Sequence, residues 1–405
     1  MNRGFYTIMA AQFFSALADN ALLFAALVRL DELNAPDSYD PVLQMFFVVS
    51  YVVLAPFVGP LADAMPKGVV MFISNAIKIG GCMAMLFGLH PLYAYFIVGF
   101  GAAAYSPAKY GIITEYLPHH LLVKANGWLE GLTVAAIILG SVIGGILINP
   151  KLAPTLLPGT LLDTLLTTSQ FAIAIIISFY FIAAWFNLYI PRIPLDHRMP
   201  KKNPLYILHD FWHCFKLLWR DPLGQVSLAV TTLFWGAGST LKLIVITWAA
   251  AALQFGVEQA TQLTAVVALG IAIGATIAGK VVTLEKSVKV LPAGIAMGFL
   301  VIAMIWVGDW RIALVLLFAI GALAGFFVVP LNALLQHRGH LLMGAGHSIA
   351  VQNFNENLGI LVLNGLYAMM IDYHLSIYSI IGLFGMFVST TMYLISRRYR
   401  HIAAH

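Results

Sequence analysis

Six ionisable residues stand inside long apolar runs of this chain, where an ordinary surface charge has no place. They are Asp19, Lys78, Lys109, Glu130, Lys242 and Glu356, three acids and three bases. Placing one ionised side chain at the centre of a bilayer costs about 2.5–3.5 kcal/mol on insertion scales. Residues that bear that cost face a partner or a polar cavity, so these six are the first candidates for chemistry. Asp19 follows Gln12 and Ser15 at steps of three and four, so the three lie on one helix face, and Asn20 comes directly after it. Glu356 lies in "QNFNEN", where Gln352 and Glu356 form one four-residue pair and Asn353 and Asn357 another. That density of amides and acids exceeds what apolar packing needs. A role in substrate binding or gating is expected for Asp19, Lys242 and Glu356; the bland reading is an internal salt-bridge network that holds the chain together. Lys109 follows Pro107 by two residues and could meet a phosphate as a point charge or snorkel to the interface. Lys78 and Glu130 are read as snorkelling residues or as partners of a loop motif.

The elements that position these residues follow from composition. The 405 residues are 61% hydrophobic and 10% charged, against roughly 25% charged in a soluble domain. Lipid is therefore the solvent. About 20 apolar residues cross the hydrocarbon core as a helix, and the chain offers that pattern twelve times. The first six spans are expected at Phe5–Leu30, Val42–Ala62, Val69–Leu89, Leu92–Ile113, Leu121–Ile148 and Gln170–Ile190. The second six are expected at Gln225–Leu253, Gln259–Val282, Val290–Val307, Ile312–Leu335, Ala345–Ile371 and Ser376–Ile395. The stretch Leu152–Ser169, with Pro154, Pro158 and Asp163, reads as an interfacial loop.

Charge sets an orientation. Sixteen lysines and arginines, among them Lys67, Lys124, Lys280, Lys286, Arg338 and Arg397, fall in one set of loops and chain ends, and only Arg29, Lys151 and Arg311 in the other. This asymmetry predicts that both termini are cytoplasmic. The net charge of +5 is spread over short loops instead of gathered with aromatics, which argues against nucleic acid. Cys82 and Cys214 lie in dissimilar surroundings and predict no disulfide. The first apolar run carries Asp19 and outlasts a signal peptide, so it reads as a span.

The chain divides into residues 1–190, a linker at 191–222, and residues 223–405. The linker opens with the proline-rich "PRIPLDHRMPKKNP" and continues as "LYILHDFWHCFKLLWRD", which alternates apolar and basic residues as an amphipathic helix along the inner leaflet does. It reads as a tether between halves, with lipid sensing as the other possibility. The halves echo one another: "GAAAYSPAKYGII" resembles "AGFFVVPLNALL", and "SALADNALLF" falls opposite "WGAGSTLKLI". Such a parallel repeat is the plan of major facilitator transporters. The loop "GPLADAMPKG", with Gly59, Asp63, Lys67 and Gly68, partly matches that superfamily's loop motif. Ala64 stands where a basic residue is expected. The fold class expected is therefore an all-α polytopic membrane protein with a major facilitator fold.

Catalytic signatures are missing. No H-E-x-x-H, Walker loop or zinc spacing occurs, and Gly346-x-Ser348 lacks the closing glycine of a nucleophile elbow. His119 and His120 read as solvated loop residues. The expectation is a protein that is not an enzyme and uses neither cofactor nor metal. The glycines Gly140, Gly144, Gly145, Gly270, Gly274 and Gly279 are read as helix-packing positions.

Several strings together, "AQFFSALADNALLFAAL", "APFVGPLADA", "VKANG", "TLFWGAGSTLK", "FFVVPLNALLQ" and "AVQNFNEN", closely resemble the bacterial lysophospholipid transporter family. The resemblance spans nearly the whole chain. It implies an inner-membrane facilitator that moves lysophosphatidylethanolamine and related lysophospholipids from the outer to the inner leaflet. It also implies a functional partner, an acyltransferase with acyl-carrier-protein synthetase activity that reacylates the product. Matched motif by motif, the family's charged network falls on Asp19, Lys109, Glu356 and Lys242, the last where arginine is common. Lysine keeps the charge but not the planar two-pronged donor. Asn20, Gln352 and Asn357 complete the candidate binding or gating set. The competing reading is a proton-coupled exporter of drugs or small metabolites from the same superfamily. A lipid-modifying enzyme is the more distant one.

Overall fold

The apolar runs of the sequence become helices because a backbone in lipid must satisfy its own N–H and C=O groups. The computed structural model describes residues 3–36, 39–149, 167–193 and 203–403. Among them are thirteen α-helices. The first six are α1 (Arg3–Glu32), α2 (Tyr39–Ala64), α3 (Lys67–Leu86), α4 (Pro91–Tyr116), α5 (Leu122–Leu147) and α6 (Thr168–Leu188). The amphipathic linker helix is α7 (Pro204–Arg220). Then come α8 (Pro222–Leu253), α9 (Val257–Val281), α10 (Leu291–Ala303), α11 (Trp310–Met343), α12 (Ala345–Asp372) and α13 (Ile377–Ala403). Each of the twelve expected spans corresponds to one helix, and ten described helices are long and apolar enough to cross a membrane. The two long helices outside those ten are α4 and α12, which carry the "SPAK" and "QNFNEN" polar clusters. The expected loop at 152–169 lies almost wholly outside the described residues, as does the proline-rich stretch 194–202.

Several boundaries differ from expectation, and two of them bear on polar contacts described below. Helix α1 continues through Arg29 to Glu32, because Glu32 is held at both sides. It pairs with Arg29 at 3.0 Å and accepts from the Ser169 backbone N–H at 3.0 Å and the Ser169 hydroxyl at 2.6 Å. The carboxylate thus sits at the N-terminus of α6, where unpaired N–H groups favour an anion. Helix α11 runs eight residues past Leu335, which places Gln336 on the same helix as Asn332.

The chain forms two compact units. Unit 1 comprises Met1–Glu115, Ala135–Phe211 and Gly344–Ala350, and unit 2 comprises Tyr116–Val134, Trp212–Met343 and Val351–His405. The first half of α5 therefore belongs with unit 2, and the first turns of α12 belong with unit 1. In unit 1, α6 packs on α1 and α3 over a buried cluster that includes Leu22, Leu43, Met85, Ile173 and Tyr180. In unit 2, α9 packs on α11 and α10 on α13. The α9–α11 crossing is backbone to backbone: a Cβ at Gly270 would lie 2.4 Å from the Phe318 carbonyl oxygen. Gly140 packs equally tightly on the Leu17 carbonyl of α1, whereas Gly145 has nothing within 4 Å and takes no part in packing. Helix α7 buries Phe211, Cys214 and Leu218 and leaves Leu205 and Leu208 exposed, the two-faced pattern its sequence predicts.

Candidate functional site

The structure builds three polar clusters from the residues singled out above. The first lies within unit 1 and centres on Asp19. Its Oδ2 meets Lys78 Nζ at 2.7 Å and its Oδ1 accepts from the Tyr180 hydroxyl at 2.7 Å. Lys78 also donates to Ser15 Oγ at 3.0 Å, Ser15 donates to Asn75 Oδ1 at 2.8 Å, and the ammonium lies 5.0 Å from the Tyr105 ring centre. Lys78 is 1% exposed while Asp19 keeps 20% of its side chain accessible. The reading of Lys78 as a snorkelling or loop-motif residue is therefore corrected. Snorkelling needs a free path for the ammonium to the interface, and this ammonium is held by a carboxylate, a hydroxyl and aromatic faces. Directly after Asp19, Asn20 donates to the Ala16 carbonyl, one helical turn back, at 2.8 Å. Lys109, also in unit 1, is half-buried with its ammonium 4.3 Å from the Tyr110 ring centre. Glu130 is buried too, at 5% exposure, which excludes snorkelling for it as well.

The second cluster lies within unit 2 and is made of amides. Gln352 Nε2 donates to Glu356 Oε1 and to Asn332 Oδ1, each at 2.7 Å. Asn332 reaches Asn126 Oδ1 at 3.4 Å, and Asn126 and Gln336 exchange a reciprocal pair at 2.9 Å. Helices α5, α11 and α12 each supply part of this chain. Asn126, Asn332 and Gln336 escaped selection as site residues, although they stand in "VKANG" and "FFVVPLNALLQ". Their signal was the four-residue spacing of Asn332 and Gln336, which puts two amides on one helix face. Asn357 turns back to the Asn353 carbonyl at 2.8 Å. Lys242 is exposed on α8, beside Gly238, whose added Cβ would meet nothing within 4 Å. Among the described residues Lys242 forms no ion pair. The candidate residues thus fall in two groups, Asp19, Asn20 and Lys109 in unit 1, and Lys242, Gln352, Glu356 and Asn357 in unit 2.

The third cluster is the loop motif, again within unit 1. Asp63 accepts from the Gly346 and His347 backbone N–H groups at 2.7 and 3.0 Å and contacts His347 Nδ1 at 2.6 Å. Lys67 bridges Asp63 at 3.2 Å and Glu115 at 3.0 Å. The other imidazole nitrogen of His347 lies 3.3 Å from Asp210 of α7. A carboxylate therefore caps the first turn of α12, where the helix dipole favours it. The close approach needs Gly346, since a Cβ there would fall 2.6 Å from Asp63 Oδ1.

A sequence model described as Major Facilitator Superfamily matches residues 8–363. This chain belongs to the major facilitator superfamily. Among curated proteins it is 44% identical over 372 residues to the lysophospholipid transporter LplT of Yersinia pestis (strain Pestoides F), a match that covers 92% of this chain and 87% of that protein. The protein of the same name from Yersinia pseudotuberculosis serotype I (strain IP32953) matches to the same extent. Among solved structures, the E. coli fucose:proton symporter FucP superposes with a TM-score of 0.75 at 12% identity, covering 98% of both chains. A bacterial homologue of the iron transporter ferroportin in its outward-facing state gives 0.70 at 13% identity over the whole of both chains. These likenesses at low identity establish the facilitator fold alone. As a superfamily member the chain is a multi-pass membrane protein and a transporter, not an enzyme. The three polar clusters are then features of a facilitator.

Proposed function

We propose that this protein transports lysophospholipids, moving lysophosphatidylethanolamine and related single-tailed lipids from the outer to the inner leaflet of a bacterial inner membrane. The observation that carries this reading is the 44% identity, over 92% of the chain, to proteins named as lysophospholipid transporters. The polar geometry agrees with the cargo. Such a headgroup bears an anionic phosphate and, in the ethanolamine lipid, a cationic amine. Lys242 offers an exposed ammonium, and Asp19 offers a partly accessible carboxylate already oriented by Lys78 and Tyr180. In this reading Asp19, Asn20, Lys109, Lys242, Gln352, Glu356 and Asn357 bind the headgroup or gate its passage. The sixteen-to-three distribution of basic residues in the sequence supports cytoplasmic termini. The delivered lysolipid is the substrate of an acyltransferase that restores its second chain.

The test is leaflet-resolved uptake of labelled lysophosphatidylethanolamine into vesicles that contain the purified protein. Uptake well above that of empty vesicles, which persists after the pH gradient is collapsed and falls to near background for Glu356→Ala, is expected. Uptake equal to that of empty vesicles overturns the reading. Uptake that stops with the pH gradient indicates a proton-coupled exporter instead.

A further inference from the structure

Within unit 2, the first half of α5 approaches the last half of α9 closely at Gly127 and Gly279. A Cβ at Gly127 would lie 2.9 Å from the Ala275 carbonyl oxygen and 3.2 Å from Gly279 Cα. Beside this contact a groove of about 420 Å³ opens, lined by Lys124, Trp128, Gly131 and Leu132 of α5 and by Ile273 and Lys280 of α9, among others. That volume falls inside the range of roughly 300–1,000 Å³ usual for small-molecule sites. Apart from the two lysines at its mouth and Thr276, whose hydroxyl is spent on the Ala272 carbonyl at 2.8 Å, the lining is apolar.

The groove has a direction. On α5, Lys124, Trp128 and Leu132 recur at four-residue steps, so one stripe runs from the charged mouth toward the membrane interior. Eight residues of helix advance about 12 Å, close to the thickness of one leaflet's hydrocarbon, about 15 Å. On α9, Lys280, Thr276 and Ile273 run the same way. Trp128 is 48% exposed and Ile273 40% exposed, so the wall opens sideways. Tryptophan with lysine near a helix end is the side-chain pairing of a membrane interface.

The mouth selects charge. Lys124 and Lys280 are both exposed, and among the described residues neither is paired with a carboxylate. Lys280 complements the C-terminal end of the α9 dipole. Lys124, by contrast, stands in the first turn of α5, where the dipole disfavours a cation and favours an anion. Two ammonium groups above an apolar trough in the membrane match a ligand with an anionic head and a hydrocarbon tail.

We infer that this groove is a binding site for an anionic glycerophospholipid of the leaflet on the side of the chain termini, with its phosphate between Lys124 and Lys280 and an acyl chain along Trp128, Gly131 and Leu132. The site uses none of the candidate transport residues and depends on the membrane fold, not on the identity of the cargo.

Delipidated protein in detergent, titrated with phosphatidylglycerol and read by native mass spectrometry, tests it directly. Parallel titrations use phosphatidylethanolamine, diacylglycerol of the same chains, and inorganic phosphate. Phosphatidylglycerol is expected to bind most tightly. The Lys124→Gln/Lys280→Gln pair is expected to weaken it roughly thirtyfold, about fivefold for each lysine facing an anionic lipid. Gly131→Leu projects into the trough from a position with room for a Cβ, which there meets only Thr276 Oγ1 at 3.8 Å. It is expected to weaken lipid binding while the melting temperature holds. Diacylglycerol binding as tightly as phosphatidylglycerol, displacement of the lipid by equimolar inorganic phosphate, or unchanged binding in both variants overturns the site. Because the readout is binding, a failure of lysolipid transport leaves this result separately interpretable.

Discussion

The Asp19 cluster of unit 1 and the Glu356 cluster of unit 2 both put a carboxylate in the membrane, the one against a lysine and a phenol, the other at the end of an amide chain. Asp19 meets a full opposite charge at 2.7 Å and a phenol at 2.7 Å. Glu356 is met by Gln352, the end of an amide chain that runs through Asn332 to Asn126 and Gln336. An ion pair is balanced only while both charges remain, so removal of one strands the other. An amide chain tolerates a change of charge as long as each donor keeps an acceptor. The first cluster thus contains a buried ion pair, and the second a chain of amide hydrogen bonds that ends on a carboxylate.

The sharpest break of this comparison is Lys78→Met. It leaves the Asp19 carboxylate without its cation and is expected to lower stability by about 3–5 kcal/mol, measured by thermal unfolding in detergent micelles. The Lys78→Met/Asp19→Asn double variant should recover much of that loss. A single variant that melts like the parent would show that the pair contributes nothing to the fold. Next comes Asn126→Ala, which leaves Gln336 without its reciprocal partner and is expected to cost about 1–3 kcal/mol. Glu356→Gln keeps an acceptor for Gln352 and should cost less than Asn126→Ala while altering flux. An equal or larger loss of stability in Glu356→Gln would place charge, not geometry, at the centre of the second cluster.

A smaller effect is expected outside the membrane. Asp221 caps α8, accepting from Gly224 N–H at 2.7 Å, and also pairs with Arg338. Burial pushes its carboxyl upward, but the hydrogen bonds from Arg338 and Gly224 outweigh that and hold it below the ordinary value. A depressed carboxylate contributes stability above its unfolded pKa, and the contribution is lost as pH falls through the lower folded value. Asp221→Ala should therefore cost about 1 kcal/mol near neutrality, and the gap to the parent should narrow in acid. Smallest of all, Lys242→Ala removes an exposed side chain and should leave stability within about 0.5 kcal/mol. A selective fall in lysolipid flux in that variant would assign Lys242 to the cargo.

Much of the molecule was legible in advance. The helices α1 to α6 and α8 to α13 sit on the twelve apolar runs, and α7 sits on the alternating apolar and basic residues of the linker. Asp19 and Glu356 were legible as costly residues because one charge in twenty apolar neighbours is visible without a structure. Their partners were not. Lys78 lies 59 residues from Asp19, in another helix, and its rotation about that helix axis decides whether it reaches lipid or a carboxylate. Asn126 and Gln336 look like ordinary helix amides until α5 and α11 are brought together. The loop motif was legible as Gly59, Asp63 and Lys67, while the His347–Asp210 contact that extends it needed α12 and α7 beside it.

The sequence alone therefore determined the solvent, the all-helical class and where along the chain the helices fall, because transfer of apolar residues into lipid and helical hydrogen bonding are local. Tertiary structure decided which charge neutralises which, where the helices approach closely enough to need glycine, and where a groove opens beside them. Those depend on the rotation and offset of whole helices, which small contributions from many side chains fix together.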